Sequence, residues 1–180
     1  MSETKQPPRD TLVMFRPTLH DLPPLILPPG VTVRHMRACE APVWERITGA
    51  AFPDLTMSFE ERMRKDVAFT PERVLFLEHN GTPVATASAW RRETYGPDCG
   101  YLHWVGTMPR HAGNSFGYVV SLAALIRMQE EGCLSAVLHT NDSRLPAIKT
   151  YLRLGFHICM DDPTLPARWN AIQQEFKANA

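Results

Sequence analysis

The segment at residues 105–117, VGTMPRHAGNSFG, has residue types and spacing that suit the binding of a phosphate group. It follows an apolar strand and opens an apolar helix, so the first amides of that helix have no carbonyl partner within it. A helix start carries partial positive charge and binds anions. Small residues at Ala112, Gly113 and Ser115 would let a phosphate approach the backbone. Arg110 adds a guanidinium that can bind phosphate oxygens.

A second interpretation of this segment stays open from the residues alone. It could be a plain strand–turn–helix with an exposed arginine, because short glycine patterns are common by chance. Two better-defined phosphate-binding motifs are absent from the chain, namely the lysine loop G-x-x-x-x-G-K-[ST] and the G-x-G-x-x-G fingerprint. The segment therefore indicates an anion site without identifying the anion.

Apolar periodicity places this segment in an α/β chain with a mixed sheet. The predicted strands are at residues 31–37, 73–78, 84–90, 101–105, 134–140 and 156–160. The predicted helices are at residues 41–52, from 58 onward, from 116 onward, 143–154 and 166–177. Ser58 with Glu61 forms a capping box, Asn80-Gly81 suits a hairpin turn, and Gly132 suits a helix end.

Residues 1–30 are predicted to be a Pro-rich extended N-terminal arm rather than a folded layer. They hold seven of the sixteen prolines, which remove backbone donors and fix φ. This arm is expected to pack across the surface through Leu25, Ile26 and Leu27. The remaining residues, 31–180, are predicted to form one domain, as the chain length suggests.

The overall composition argues against several classes of protein. Hydrophobic residues make up 44% and charged residues 21% of the chain, as in ordinary globular proteins. The formal net charge is zero, so neither nucleic acid nor an anionic membrane is expected as a partner. No membrane span and no apolar signal core is found, so a cytoplasmic location is expected. The scattered cysteines and histidines show no metal-ligand spacing, so no metal is expected.

A second motif lies at residues 141–156, NDSRLPAIKTYLRLGF. Together with the first motif it resembles the GCN5-related N-acetyltransferase (GNAT) superfamily. That family's pyrophosphate loop, [QR]-x-x-G-x-[GA], corresponds to residues 110–115, where His111 and Ser115 depart from the usual smaller residues. The family's later pattern, N-x(5)-A-x(3)-Y-x(3)-G-F, is matched at Asn141, Ala147, Tyr151, Gly155 and Phe156.

The resemblance implies a single-domain GNAT-like fold over residues 31–180. Its mixed sheet would have about six to seven strands, flanked by about four to five helices. Acetyl-CoA, the implied acyl donor, would bind in a cleft where the fourth and fifth predicted strands splay apart. Its pantetheine arm would pair with the backbone of Val105 and Thr107. Its diphosphate would bind Arg110 and the backbone amides of His111, Ala112, Gly113, Asn114 and Ser115.

The implied reaction is direct attack of an amine on the thioester in a ternary complex. Tyr151 stands where the family commonly places a general acid, which would protonate the leaving thiolate. His103 shares a strand face with Val105 and is a candidate base, because an unshifted imidazole pKa near 6.5 suits that work. Glu93 and Asp98 are weaker candidates, and deprotonation through water without a dedicated base is also open. Asn141 would either bind the pantetheine arm or cap the helix.

The acceptor pocket is less well defined. Trp44, Trp90 and Trp104 could line it or pack in the core. Glu60 and Glu61 could attract a cationic amine or belong to a charged, solvent-exposed helix face.

The expected function is acyl transfer from acyl-CoA to an amine of a small molecule or a protein. A different class is also open, a non-catalytic acyl-CoA-binding sensor or interaction domain, because His111, Ser115 and the lack of a clear base weaken the catalytic case. A third reading is a structural domain that has lost the cofactor. Assembly into a homodimer is left open.

Overall fold

Seven strands form one mixed sheet in the computed structural model, which describes residues 11–178. The strands are β1 Thr11–Arg16, β2 Val31–His35, β3 Val74–His79, β4 Thr82–Arg91, β5 Cys99–Thr107, β6 Ser135–Asn141 and β7 His157–Ile158. Their order in the sheet is β2-β3-β4-β5-β6-β1-β7, and within the described residues only the β5–β6 pair is parallel.

Helices cover both faces of this sheet. They are α1 Ala41–Ala51, α2 Phe116–Glu130, α3 Leu145–Arg153 and α4 Leu165–Ala178. Apolar side chains of α2, α3 and α4 share one buried cluster, whereas Trp44 and Ile47 of α1 belong to a second cluster. The predicted α/β fold with a mixed sheet is therefore confirmed.

The helix predicted from residue 58 is only a short π-helical turn, Glu60–Arg64. Its predicted cap is present, because the Glu61 amide donates to Ser58 Oγ at 3.3 Å. The turn ends early because Asp66 accepts the amide of Ala68 at 2.9 Å and redirects the chain.

The N-terminal segment corrects the sequence-based expectation. The prediction that residues 1–30 lie outside the folded layers is wrong for β1, which inserts between β6 and β7 and pairs along its whole length with β6. Leu12 and Met14 of β1 are fully buried. They lie on the same face of the strand, because alternate residues of TLVMFR point to opposite faces of the sheet. Residues 1–10 lie outside the described part of the chain.

The rest of the predicted arm contacts the core at only some of the expected positions. Leu25 packs against the buried cluster, whereas Ile26 is 76% and Leu27 is 40% exposed. The surface packing expected of all three residues therefore holds clearly for Leu25 alone.

A bulge in β5 opens the sheet. Thr86 pairs with Gly106 and Ser88 with His103, so Trp104 and Val105 both lie opposite the single residue between them on β4. Trp104 has a φ of +46°, which is unusual for a residue with a side chain.

The neighbouring strands β5 and β6 separate close to this bulge. Their parallel pairing covers three positions and ends with Tyr101 opposite Val137. Beyond that point β6 continues to Asn141, where its partner is Thr11 of β1. The predicted splay between these strands is therefore confirmed, and β1 holds the far side of the opening in place.

Candidate active site

Two cavities meet at the opening between β5 and β6. The first, of about 490 Å³, lies between the end of α1, the bulge of β5 and the end of β6; the second, of about 560 Å³, lies between α2 and α3. Both are lined by Ala51, Val105, Arg144 and Tyr151, so these four residues mark the junction. We call the first space the acceptor cavity and the second the donor cavity. Two ligands that entered from opposite sides would meet there.

The start of α2 faces the donor cavity with its amides open. Gly113 and Ser115 both have positive φ, +83° and +58°, and this conformation turns the loop into the helix. The helical hydrogen bonds begin with Val119, whose amide donates to Ser115 at 3.1 Å, so the three preceding amides lie at the open end. No side chain caps this helix start within residues 11–178. The Asn114 amide group donates instead to the carbonyls of its own loop, at 3.2 and 3.4 Å.

The predicted diphosphate loop only partly lines the donor cavity. His111, Ala112, Gly113 and Ser115 line it, as does Thr107 of β5. Arg110 and Asn114 are exposed in the same loop and are not among its lining residues.

His111 packs its ring against neighbouring rings of the fold. Its ring centroid lies 5.7 Å from that of His79 and 6.0 Å from that of Phe116. Desolvation and the charges of Arg110 and His79 lower the pKa of His111, which disfavours its charged form.

Two basic side chains of α3 line the donor cavity and were missed from the sequence. Lys149 and Arg153 are one turn apart, so both face the same side of the helix. Arg153 lies 4.6 Å from the ring centroid of Tyr118, on the first turn of α2. Their i, i+4 spacing within the second motif is the signal that could have identified them.

Tyr151 lines both cavities and is the residue there whose side-chain proton could be donated during a reaction. Its side chain is 6% exposed. Burial raises the pKa of Tyr151 to about 12, and the nearby charge of Arg144 opposes that rise. The phenol therefore keeps its proton at neutral pH and can donate a hydrogen bond into the junction.

His103 lines the acceptor cavity, but it differs from the expected base. Its ring packs among Trp90, Tyr101 and Trp104, with centroids 5.1 to 5.8 Å apart. Burial, together with the charges of Arg92, His139 and Arg62, lowers the pKa of His103 to about 3. The ordinary pKa expected from the sequence is therefore wrong, because the residue lies among aromatic rings and cations.

The other acidic candidates lie away from the junction. Glu93 and Asp98 are exposed and line neither cavity at the junction. Glu60 pairs with Arg64 at 3.0 Å, and Glu61 pairs with Lys65. The solvent-exposed helix face is the interpretation that the structure supports for Glu60 and Glu61.

The three tryptophans divide between core and cavity. Trp44 and Trp90 are fully buried in the core, whereas Trp104 lines the acceptor cavity. Asn141 also lines this cavity, and its carbonyl accepts the Arg144 amide at 3.0 Å, which starts the turn into α3.

Two further searches cover the described residues. No group of three or more His, Cys, Asp or Glu side chains in residues 11–178 could hold a metal ion. None of the helices in that range is long and apolar enough to cross a membrane.

Comparison with known proteins agrees with this architecture. The sequence profile of the acetyltransferase (GNAT) family matches residues 38–156, and the chain belongs to that family. Its fold is similar to that of a GCN5-related N-acetyltransferase from Sphaerobacter thermophilus, with a TM-score of 0.68 at 24% identity over 86% of this chain and 50% of the other.

Curated relatives are similar over most of this chain. A mycothiol acetyltransferase from Thermomonospora curvata is 27% identical over 81% of the chain and 51% of the relative. Another, from a Nocardioides species, is 31% identical over 86% of the chain and 59% of the relative. The chain thus spans about half the length of the curated relatives it matches.

Proposed function

We propose that this protein transfers an acetyl group from acetyl-CoA to an amine while both substrates are bound. The observation that carries the proposal is the meeting of two cavities at Val105 and Tyr151, one of them facing an uncapped helix start. Binding both reactants at one junction makes the reaction effectively unimolecular. Membership of the family, whose acyl donor is acetyl-CoA, supports the same assignment.

The donor cavity suits the parts of acetyl-CoA. The diphosphate would bind the loop amides at residues 111–115 and the open amides of α2, with Lys149 and Arg153 supplying positive charge. Arg110 would contact the phosphates from the solvent side of the loop. The pantetheine amides would pair with the backbone of β5 at Val105 and Thr107, because this part of the strand is beyond its last pair with β6. Asn141 would border that arm.

The proposed proton transfers follow from the shifted pKa values of Tyr151 and His103. The neutral amine attacks the thioester carbon, the C–S bond breaks, and Tyr151 donates its proton to the departing sulfur. The new amide nitrogen loses one proton, which returns the phenol to its starting state through water. His103, whose pKa is about 3, would remain a neutral hydrogen-bonding group, so the ammonium loses its first proton to solvent.

Two measurements test this function and separate it from a non-catalytic acyl-CoA-binding domain. Titration calorimetry with acetyl-CoA reports donor binding, and a thiol-release assay with a panel of amines reports transfer. We expect both to be positive, with acetyl-CoA at 100 times its dissociation constant adding about 2.7 kcal/mol of stability. Binding without thiol release would favour the sensor, and absence of binding would favour a structural domain.

The setting proposed for this activity is the cytoplasm. The described cysteines are all free, which suits a reducing compartment. A homodimer is kept as a proposal that gel filtration of the full chain tests directly.

A further inference from the structure

The acceptor cavity has an unbalanced set of charges. Arg144 lines it at the junction, where its guanidinium lies 4.0 Å from the ring centroid of Phe52 and donates to the Ala51 carbonyl at 3.4 Å. Asp54 is the only acidic residue among the lining residues in the described chain, and it is exposed at the rim. The interior of the cavity is therefore short of negative charge.

Two further arginines lie behind the aromatic floor of this cavity. The guanidinium of Arg62 is 5.1 Å from the ring centroid of Trp104, which lines the cavity. That of Arg92 is 4.3 Å from the ring centroid of Tyr101, whose ring contacts His103 at 5.1 Å. Neither arginine is among the residues that line the cavity, so both act on it from behind these rings.

These three arginines differ from many of the other basic residues. In residues 11–178, arginines such as Arg34, Arg73 and Arg168 form ion pairs at 2.7 to 2.8 Å, whereas Arg62, Arg92 and Arg144 form none. Cation–ring contacts of this kind do not neutralise the guanidinium. Arg62 also donates to the Thr56 carbonyl, at 3.1 and 3.2 Å, and keeps its net charge.

The electrostatic field at His103, which lines the cavity, disfavours positive charge, as the nearby arginines predict. After burial, the groups that act on His103 are Arg92, His139 and Arg62, and all of them disfavour a positive charge there. A cationic side chain of a substrate would be repelled at this position, and an anionic group would be attracted.

We propose that the acceptor is an amine that also carries an anionic group, a carboxylate or a phosphate, which binds Arg144 at the junction while the charges of Arg62 and Arg92 attract it from behind the rings. A guanidinium presents its N–H groups in a fork that matches either anion. This inference rests on the proposed acetyl transfer and specifies its acceptor.

The test compares matched acceptors on the same protein. Amino acids or dipeptides with a free carboxylate are assayed beside their C-terminal amides, and aminoalkyl phosphates beside the corresponding amino alcohols. We expect kcat/KM for at least one anionic series to exceed that of its neutral partner about tenfold or more, as a charge-assisted hydrogen bond provides. The two series distinguish a carboxylate from a phosphate.

Variants then locate the source of the attraction. Arg62→Gln combined with Arg92→Gln is expected to reduce the anionic-to-neutral ratio of kcat/KM. Arg64→Gln is the matched control, because Arg64 lies in the same helical turn but pairs with Glu60, and it should leave the ratio unchanged. An unchanged ratio in the double variant, or an equal loss in Arg64→Gln, would contradict the role assigned to Arg62 and Arg92.

The failure of this inference is distinguishable from failure of the proposed function. If the protein binds CoA and acetylates neutral or cationic amines as well as anionic ones, or acetylates no anionic amine, the acceptor assignment is overturned and acetyl transfer stands on its own test. If the protein binds no CoA, both are overturned.

Discussion

Tyr151 and His103 have opposite expected roles in proton transfer because their surroundings shift their pKa values in opposite senses. Burial keeps the Tyr151 phenol protonated, with a pKa of about 12, and keeps the His103 imidazole neutral, with a pKa of about 3. One residue is therefore suited to donate a proton, and the other is a poor acceptor of one.

Replacing Tyr151 by phenylalanine should lower kcat by about 10² to 10⁴ with little change in KM, because the phenol acts on the leaving sulfur and not on substrate binding. Steady-state thiol release measures both constants. The melting temperature of Tyr151→Phe serves as the control for folding. A variant as active as the parent would remove Tyr151 from the mechanism.

The pH profile should show no ionisation of His103 between pH 5 and 8. Since its pKa is lowered to about 3, the imidazole stays neutral across this range. The observed kcat/KM should rise with pH as the amine loses its proton, towards a pKa near 10 for an alkyl amine. His103→Gln should retain this profile. An inflection near pH 6.5 in the wild type that is absent from His103→Gln would show instead that His103 acts as the general base.

Ser115 tests the anion site at the start of α2. Ser115→Asp places a negative charge beside the open amides and should weaken CoA binding by on the order of tenfold or more. Ser115→Gly is the matched control, because glycine adopts the observed φ of +58° without strain and adds no charge. Calorimetry on both variants measures the effect; equal affinities would argue against a diphosphate at this position.

The strand β1 connects the N-terminal segment to the active-site cleft. Beyond Val137, β6 has no pairing with β5, and β1 supplies its ladder up to Asn141. The acceptor-cavity residues His139, Thr140 and Asn141 are therefore positioned by a strand that lies before residue 31.

Leu12→Ala should destabilise the fold by about 2–5 kcal/mol, because Leu12 is fully buried and its truncation leaves a cavity. Ile26→Ala is the control from the same N-terminal region, since Ile26 is 76% exposed and should change stability little. Urea unfolding of both variants measures the difference. If Leu12→Ala is as stable as the control, β1 is not part of the folded sheet in solution.

The sequence predicted most of these elements for a physical reason. Apolar alternation identifies strands, and apolar residues at helical spacing identify helices that pack one face on a sheet. Most strands and helices after residue 31 have one of these two patterns. The prediction misses β1 because the proline content of residues 1–30 as a whole indicates an extended arm, although no proline lies within Thr11–Arg16.

Other features depend on contacts that no local pattern contains. The bulge at Trp104 arises from the register between β4 and β5. The pKa of His103 arises from burial among rings of these two strands and from the charges of Arg92, His139 and Arg62. Likewise, Lys149, Arg153 and Arg144 reach the cavities only through the way α3 packs. The motif positions of the cleft and the shared helix face of Lys149 and Arg153 were accessible from sequence, whereas the fact that this face lines a cavity was not.

The two cavities share four lining residues and form one arrangement around that junction, where donor and acceptor would meet in the proposed reaction. The helix start of α2 and the basic face of α3 lie beside the donor cavity, and Arg144, which has no ion pair in residues 11–178, lines the junction. The chain spans about half the length of its curated relatives, and the described residues nevertheless bring both sides of the junction together.

The most direct test of this account is a titration of the full chain with CoA, followed by calorimetry on the wild type and on Ser115→Asp. The account predicts saturable binding of one CoA per chain and a clear loss of affinity in the variant. Absence of any binding at millimolar CoA, or binding that the added charge leaves unchanged, would contradict it.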